Sequence, residues 1–379
     1  MKSFLIRLVL LLSLPLTAAA QIPAPPSIEA RSYILYDFES RQTLAESNAL
    51  MRVEPASITK IMTAYIAFDE VRRGHVSLDD QVLISEKAWR TPGSRTFVEV
   101  GKRVRFEDLL MGSIVQSGND TTVAIAEHIA GDEAVFAQLM SKHAARLGMK
   151  DTHYVNSTGL PDPEHYTNAY DIAVLSDALI RDFPEDYKRY STREFTFGHR
   201  SQIRQQNRNM LLDLEPGADG IKTGHTEAAG YCLAASSVRD GRRLITVVMG
   251  TDSMRARATA SKALLDYGFR FFENVALFGR ERPAARLRIW KGQVDELPIG
   301  VAETIAVSLP RGAAERLKID TEVGQQLVAP VAAGQTLGSA KLSVDGTTLR
   351  TLPLVALAEV PEGGLLRRAL DTVRLWLDI

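Results

Sequence analysis

Three short motifs follow one another along the chain: Ser57-Ile-Thr-Lys60, Ser117-Gly-Asn119 and Lys222-Thr-Gly224. A serine hydroxyl is a poor nucleophile until a neighbouring group accepts its proton. A lysine three residues later suits that task, because positions i and i+3 share one face of a helix. Pro55, followed by Ile58, Ile61, Met62, Tyr65 and Ile66 at helical spacing, predicts a helix through this segment with Ser57 in its first turn. Free amides and the positive end of the helix dipole favour an oxyanion there.

To act as a base near neutrality, Lys60 must have its pKa lowered from about 10.4 to roughly 7 to 8. Burial or a second cation supplies such a shift, and Lys222 is the candidate cation if the fold brings the third motif beside the first. Ser117 is expected to relay a proton between Lys60 and a leaving group, and the Asn119 amide to hold a substrate carbonyl. Each motif also has a plainer reading. S-x-x-K and S-x-N each arise about once by chance in a chain this long, Ser-Gly-Asn-Asp is ordinary turn composition, and Lys-Thr-Gly can simply close a strand. The ordered trio decides for chemistry, because its contexts agree. Ser57 opens a helical pattern, Ser117 precedes another, and Lys222 leads into the apolar run 231–236.

The elements that must position these residues are readable in outline. Helical periodicity dominates 59–72, 121–129, 133–147 and 171–181, and strand-like runs occupy 32–37, 194–197, 231–236 and 244–250. Early and late strands with helices between them suit one mixed α/β (α+β) domain. After about residue 279 the character changes to short strand candidates at 287–290, 304–309, 317–320, 326–329 and 341–344, a β-rich region with no catalytic constellation.

The motif set resembles the S-x-x-K, S-D-N and K-T-G signature of β-lactamases and penicillin-binding proteins, with Gly118 where that pattern has aspartate. The variant is similar to the serine-type D-Ala-D-Ala carboxypeptidases, the low-molecular-mass penicillin-binding proteins. PASITKIMTAY, VQSGNDTTVAIAEHIAG, FTFGHRSQIRQQNRN and DGIKTGHTEAAGYCLAAS carry the likeness, which covers most of 28–273. The resemblance implies an antiparallel sheet flanked by helices, with a helical subdomain carrying Ser117 and Asn119. It implies an oxyanion hole from the N–H groups of Ser57 and His225, and a family arginine near the substrate carboxylate that matches Arg204. Lys222, Thr223, Gly224 and Thr226 would complete the substrate grip. The implied reaction is attack of Ser57 on the penultimate D-alanine of a peptidoglycan stem peptide, release of the terminal D-alanine, and hydrolysis of the acyl-enzyme. β-Lactam antibiotics would enter the same chemistry as covalent inhibitors. A β-lactamase shares this serine chemistry, but no clear glutamate base of the class A kind stands between Asn119 and Lys222. A noncatalytic wall-binding protein of the same fold is the other alternative, and the intact motifs speak against it.

Lys2 and Arg7 precede the apolar stretch 8–16, which ends in Ala18-Ala19-Ala20, so residues 1–20 read as a signal peptide cleaved after Ala20. The expected location is the periplasmic face of the cytoplasmic (inner) membrane. With 379 residues, 45% hydrophobic content and a formal charge of -1, the chain supports two or three cored domains and gives no electrostatic case for nucleic acid. Cys232 is alone and cannot form an internal disulfide. There is no H-E-x-x-H and no phosphate-binding glycine loop, so no metal or other cofactor is expected.

The expected domains are catalytic at 28–279, β-rich at 280–361, and an amphipathic helical tail at 362–379. The helix at 365–379 would be about 22 Å long. That is short for a hydrocarbon core about 30 Å thick, so the helix should lie on the membrane surface, with Trp376 and the arginines suited to it. The alternative is a terminal helix docked on its own domain.

Overall fold

The computed structural model describes residues 22–198, 202–277, 283–302, 306–324 and 326–377. The expected signal peptide lies outside them. Strands β1 (Ser32–Asp37), β2 (Thr43–Ser47), β3 (Ala218–Thr226), β4 (Gly230–Arg239) and β5 (Arg242–Thr251) form one antiparallel sheet in the order β2-β1-β5-β4-β3. The main helices are α1 (Lys60–Arg72), α2 (Asn119–Ala130), α3 (Glu133–Leu147), α4 (Ala169–Asp182), α5 (Met254–Phe271) and α6 (Leu365–Trp376).

The sheet is buried on both faces, and its pleat sorts side chains between two cores. Ile34 and Tyr36 of β1, Ala234 of β4 and Val247 of β5 pack with Ile61 and Ile66 of α1 and with Ile172 of α4. Their neighbours Tyr33, Leu35, Leu233 and Val248 pack on the other face with Leu264 and Leu265 of α5. Helix α1 is buried from Lys60 to Asp69 all the way round, as befits a helix in the middle of a domain. Asn168 and Ser253 cap α4 and α5 by accepting from Asp171 N and Ala256 N, which fixes where each chain segment turns into helix.

Two sequence expectations need correction. Ser57 does not lie in an α-helical turn: residues Ala56–Thr59 form a 3-10 turn ahead of α1. Side chains three apart eclipse one another in that tighter turn, which still aligns Ser57 with Lys60. The eighteen-residue helix α5 was also not expected, because its first half, Met-Arg-Ala-Arg-Ala-Thr-Ala, carries few large apolar residues.

Beyond Phe272 the chain builds a six-stranded sheet, ordered Leu317–Val323, Thr336–Val344, Thr347–Ala356, Glu296–Gly300, Ala285–Trp290, Leu327–Val328. A separate pair joins Phe272–Ala276 to Ala306–Pro310. The junction with the first domain is polar and specific. Buried Asp37 accepts from Arg242 Nε at 2.9 Å and Asn274 Nδ2 at 3.0 Å, while Arg242 also donates to Phe272 O at 2.6 Å and Ser308 Oγ at 2.9 Å.

Helix α6 docks in an unusual sense. Its one buried residue is Asp371, which accepts from Lys291 N at 2.7 Å, while Leu366 and Trp376 are 84% and 85% exposed. The polar side therefore faces the protein and the apolar side faces outward. No helix among the described residues is long and apolar enough to cross a membrane.

The junction generates a stability prediction. Asp37→Ala leaves the Arg242 guanidinium with only neutral partners in a nearly closed site, and should lower the unfolding free energy by about 3 to 5 kcal/mol in denaturant titration. Asp79→Ala, at the exposed Arg105 pair, should change it by less than about 1 kcal/mol.

Candidate active site

The three motifs converge on one cleft of about 390 Å³, lined among others by Ser57, Ser117, Asn119, Thr223, Gly224 and His225. Lys60 lies beneath its floor, 1% exposed. The Lys60 amine sits 2.9 Å from Ser57 Oγ, 2.7 Å from Asn119 Oδ1 and 2.7 Å from Thr158 O. A neutral amine has two N–H groups and one lone pair. The two carbonyl oxygens can only accept, so they take both N–H groups, and the lone pair is left to receive the Ser57 hydroxyl proton. Burial, and then the nearby Arg208 guanidinium, push the Lys60 pKa down to about 7. As pH rises through that value the amine loses its proton and becomes the base.

The expected second cation is thus Arg208 rather than Lys222. Lys222 is itself buried and driven well below its ordinary value, first by burial and then by the charges of Lys60, Arg208 and Arg257. Among the described residues its amine makes only a long contact, 3.5 Å, to Thr223 O.

Backbone conformation sets the remaining groups. Residues Gly112–Gln116 form a π-helical turn that ends at Ser117, whose φ of 65° is left-handed. The buried Ser117 hydroxyl has no hydrogen-bond partner among the described residues, which suits it to pass a proton. Asn119 opens α2, and its side-chain Nδ2 donates to Pro92 O at 2.6 Å. Gly118 departs from the aspartate of the family pattern for a steric reason: a Cβ there would lie 2.2 Å from Thr96 Oγ1. Gly224 lets β3 approach the nucleophile turn, since its Cβ would come within 3.0 Å of Pro55 O. His225 is exposed and stacks on Tyr231 at a centroid distance of 4.0 Å, and Thr226 Oγ1 accepts from Ala229 N at 3.0 Å.

Arg204 is a correction. Its side chain is 72% exposed and pairs with Glu194, outside the cleft. It lies on the strand Ile203–Gln206, where alternate residues face opposite ways, and its neighbour Gln205 takes the buried side, donating to Thr96 O. The cleft arginines are instead Arg208 and Arg257. Arg257 donates to Gly224 O at 2.9 Å and Cys232 O at 3.3 Å, and burial lowers its pKa to about 10. Neither arginine has a carboxylate within ion-pairing distance among the described residues. Two partly or fully buried guanidinium groups without an acid make this end of the cleft an anion site. Arg208 stood inside the QIRQQNRN stretch and was passed over, whereas nothing local in the sequence marks Arg257.

The segment Thr158–Leu160 was also missed. It supplies the Thr158 carbonyl to Lys60, and Gly159, at φ +83°, would put a Cβ 1.7 Å from Ala56 O. Gly159→Ala should therefore displace the Ser57 turn and lower unfolding free energy by at least about 3 kcal/mol in denaturant titration.

Cys232 pairs with Gly224 across β3 and β4, is buried, and has its thiol pushed up to about 11 by burial. That is an inert thiol at neutral pH.

Comparison with known proteins agrees with this geometry. The D-alanyl-D-alanine carboxypeptidase family matches residues 19–253, and the penicillin-binding protein 5 C-terminal domain matches 272–362. D-alanyl-D-alanine carboxypeptidase DacA of Escherichia coli K12 is 39% identical over 368 residues, covering 95% of this chain and 91% of that protein. The crystal structure of penicillin-binding protein 5 from Haemophilus influenzae superposes with a TM-score of 0.86 at 37% identity, covering 90% of this chain and all of that one. Penicillin-binding protein D2 of Listeria monocytogenes, solved in an ampicillin-bound form, aligns with a TM-score of 0.59 at 27% identity over 64% of this chain and 98% of its own. A serine beside a buried lysine, two cleft arginines with no carboxylate partner among the described residues, and matches that run through both domains lead to one assignment: the chain belongs to the D-alanyl-D-alanine carboxypeptidase family.

Proposed function

We propose that Ser57 is the nucleophile with which this D-alanyl-D-alanine carboxypeptidase removes the terminal D-alanine from peptidoglycan stem pentapeptides. The observation that carries the reading is the Lys60 amine, with both N–H groups taken by carbonyls and its lone pair 2.9 Å from Ser57 Oγ. Ser57 Oγ attacks the carbonyl carbon of the penultimate D-alanine and its proton passes to Lys60 Nζ. The resulting oxyanion sits between the N–H groups of Ser57 and His225, a contribution of roughly 3 to 4 kcal/mol to the transition state. The C–N bond then breaks, the proton travels from Lys60 through the Ser117 hydroxyl to the leaving amine, and D-alanine departs. Water attacks the ester carbonyl, gives a proton to Lys60, and Ser57 leaves with that proton restored.

Recognition divides along the cleft. Asn119 holds the acyl-side carbonyl, and Thr223, Thr226, Arg208 and Arg257 read the free C-terminal carboxylate, with Lys222 behind them and Gly224 keeping the wall close. The expected role of Arg204 passes to these two arginines. A β-lactam follows the same route: its strained amide acylates Ser57, and the tethered leaving group stays near the site and hinders water. No glutamate lines the cleft among the described residues, which weighs against a β-lactamase, and the intact Ser57 and Lys60 pair weighs against a noncatalytic binder.

Residues 28–279 are the catalytic domain in this reading, 280–361 a β-rich spacer, and 362–379 a surface anchor. The outward apolar side of α6 supports its lying on a bilayer, and the 1–20 pattern supports export, so the enzyme works at the periplasmic face of the cytoplasmic (inner) membrane.

The test is D-alanine release from a pentapeptide ending in D-Ala-D-Ala by the mature protein and by Ser57→Ala. One D-alanine per peptide is expected from the first, and a rate at least about 1000-fold lower from the second. Undiminished release by Ser57→Ala would overturn the assignment of the nucleophile.

A further inference from the structure

One reactive side chain at the cleft takes no part in the catalytic steps or in the cores that sandwich the first sheet. Met254, the first residue of α5, lines the cleft together with Arg257 and Tyr231 and belongs to neither of those cores. It is 52% exposed, against 39% for Met51 and 38% for Met210, and the other described methionines are buried or half-buried. Among the described residues it is the one methionine that lines the cleft. A thioether is open to oxidation where solvent reaches the sulfur, and the single thiol, Cys232, is buried.

The backbone that carries Met254 is held against the cleft. Ser253 Oγ accepts from Ala256 N at 3.0 Å, and Thr251 Oγ1 lies 3.1 Å from Tyr231 O and 3.3 Å from Ser253 O, which ties the start of α5 to β4. Arg257 follows three residues later, on the same face of the helix. Its Nη1 donates to Gly224 O and Cys232 O, while its Nη2 makes only a 3.5 Å contact, to Arg208 O. A guanidinium has five N–H groups, so donors remain here for an incoming oxygen.

Resting on the carboxypeptidase reading, we propose that Met254 is an oxidation site whose sulfoxide closes the arginine end of the cleft to substrate. The oxidant is hydrogen peroxide. A lone pair of Met254 Sδ attacks one peroxide oxygen, the S–O bond forms as the O–O bond breaks, and the second oxygen leaves with both protons as water. Sulfur gives up two electrons and the peroxide takes them. The sulfoxide oxygen is a polar acceptor one helical turn from Arg257, and the remaining guanidinium donors bind it in place of a substrate carboxylate. Ser57 and Lys60 are untouched, so substrate that displaces the sulfoxide is turned over as before: KM rises and kcat does not change. A sulfoxide reductase that draws two electrons and two protons from a dithiol releases the oxygen as water, which makes the block reversible.

The experiment treats the mature protein with hydrogen peroxide, locates the oxidised methionines by peptide mass spectrometry, and measures D-alanine release from a pentapeptide ending in D-Ala-D-Ala before and after. Met254 should be oxidised ahead of Met51 and Met210. As its sulfoxide accumulates, KM should rise by about ten-fold or more with kcat within about two-fold, and methionine sulfoxide reductase with dithiothreitol should bring KM back. Met254→Leu keeps the side-chain size without the oxidisable sulfur, so its kinetics should be the same before and after peroxide. The double variant Met51→Leu, Met210→Leu should lose as much on treatment as the wild type. Unchanged KM with Met254 fully oxidised, a fall in kcat alone, or an equal loss in Met254→Leu would overturn the proposal while leaving the carboxypeptidase intact. Absence of D-alanine release from the untreated protein would instead remove the carboxypeptidase reading, and this one with it.

Discussion

The structure depends on keeping one amine dry. Lys60 sits at the start of α1 with its side chain enclosed, and everything that surrounds it acts on its proton affinity or its hydrogen-bond valence. Desolvation and the Arg208 charge remove the proton near neutrality, while Asn119 and Thr158 carbonyls orient what remains. The arrangement has a thermodynamic cost. Because the folded-state pKa lies below the ordinary 10.5, the unfolded chain binds a proton that the folded chain does not between about 7 and 10.5. Stability from this group therefore declines as pH falls across that window and levels off below it. A catalytic base is obtained at the expense of a less stable core.

That requirement explains the position of elements far from the cleft. The Asn119 carbonyl is fixed by α2, which begins there and whose first turn is pinned by Asp120 to the 96–98 backbone. The Thr158 carbonyl is fixed by a loop that contacts the Ser57 turn so closely that Gly159 has no room for a side chain. Strand β3 is brought against the same turn through Gly224, and Arg257 of α5 ties back to the Gly224 carbonyl from the other face of the sheet. Helices on both faces of one sheet thus meet at the cleft. The second domain is fixed to this frame through Asp37 and Arg242, and α6 is latched to it by Asp371, so the outward apolar side of the last helix has a defined orientation relative to the cleft.

Much of this was legible in the sequence, and the limits have physical causes. Ser57 and Lys60, Ser117 and Asn119, and Lys222 to Gly224 stood out through their short spacings, while His225 and Thr226 came from the family resemblance. The antiparallel sheet and most helices followed from periodicity and from the family resemblance. What failed depended on contacts distant in sequence or on where a strand ends. Arg204 and Arg208 sit in the same basic stretch; Arg204 lies on the exposed face of the strand Ile203–Gln206, whereas Arg208 lies in the bend beyond the end of that strand, and nothing local in the sequence marks where the strand stops. Arg257 belongs to a helix whose burial comes from packing on the sheet, and no local pattern reveals that. The 3-10 turn at Ser57 and the left-handed Ser117 and Phe97 are backbone states that no local sequence pattern marks.

The central claim is that the amine beside Ser57 is neutral near physiological pH because of where it is buried. It is tested most directly by carbon NMR of protein labelled at lysine Cε, following the Lys60 signal, assigned by its loss in Lys60→Arg, from pH 5 upward. The account predicts a titration midpoint close to about 7. A signal that stays protonated until its ordinary value near 10.5 would contradict it, and would require another group to take the Ser57 proton.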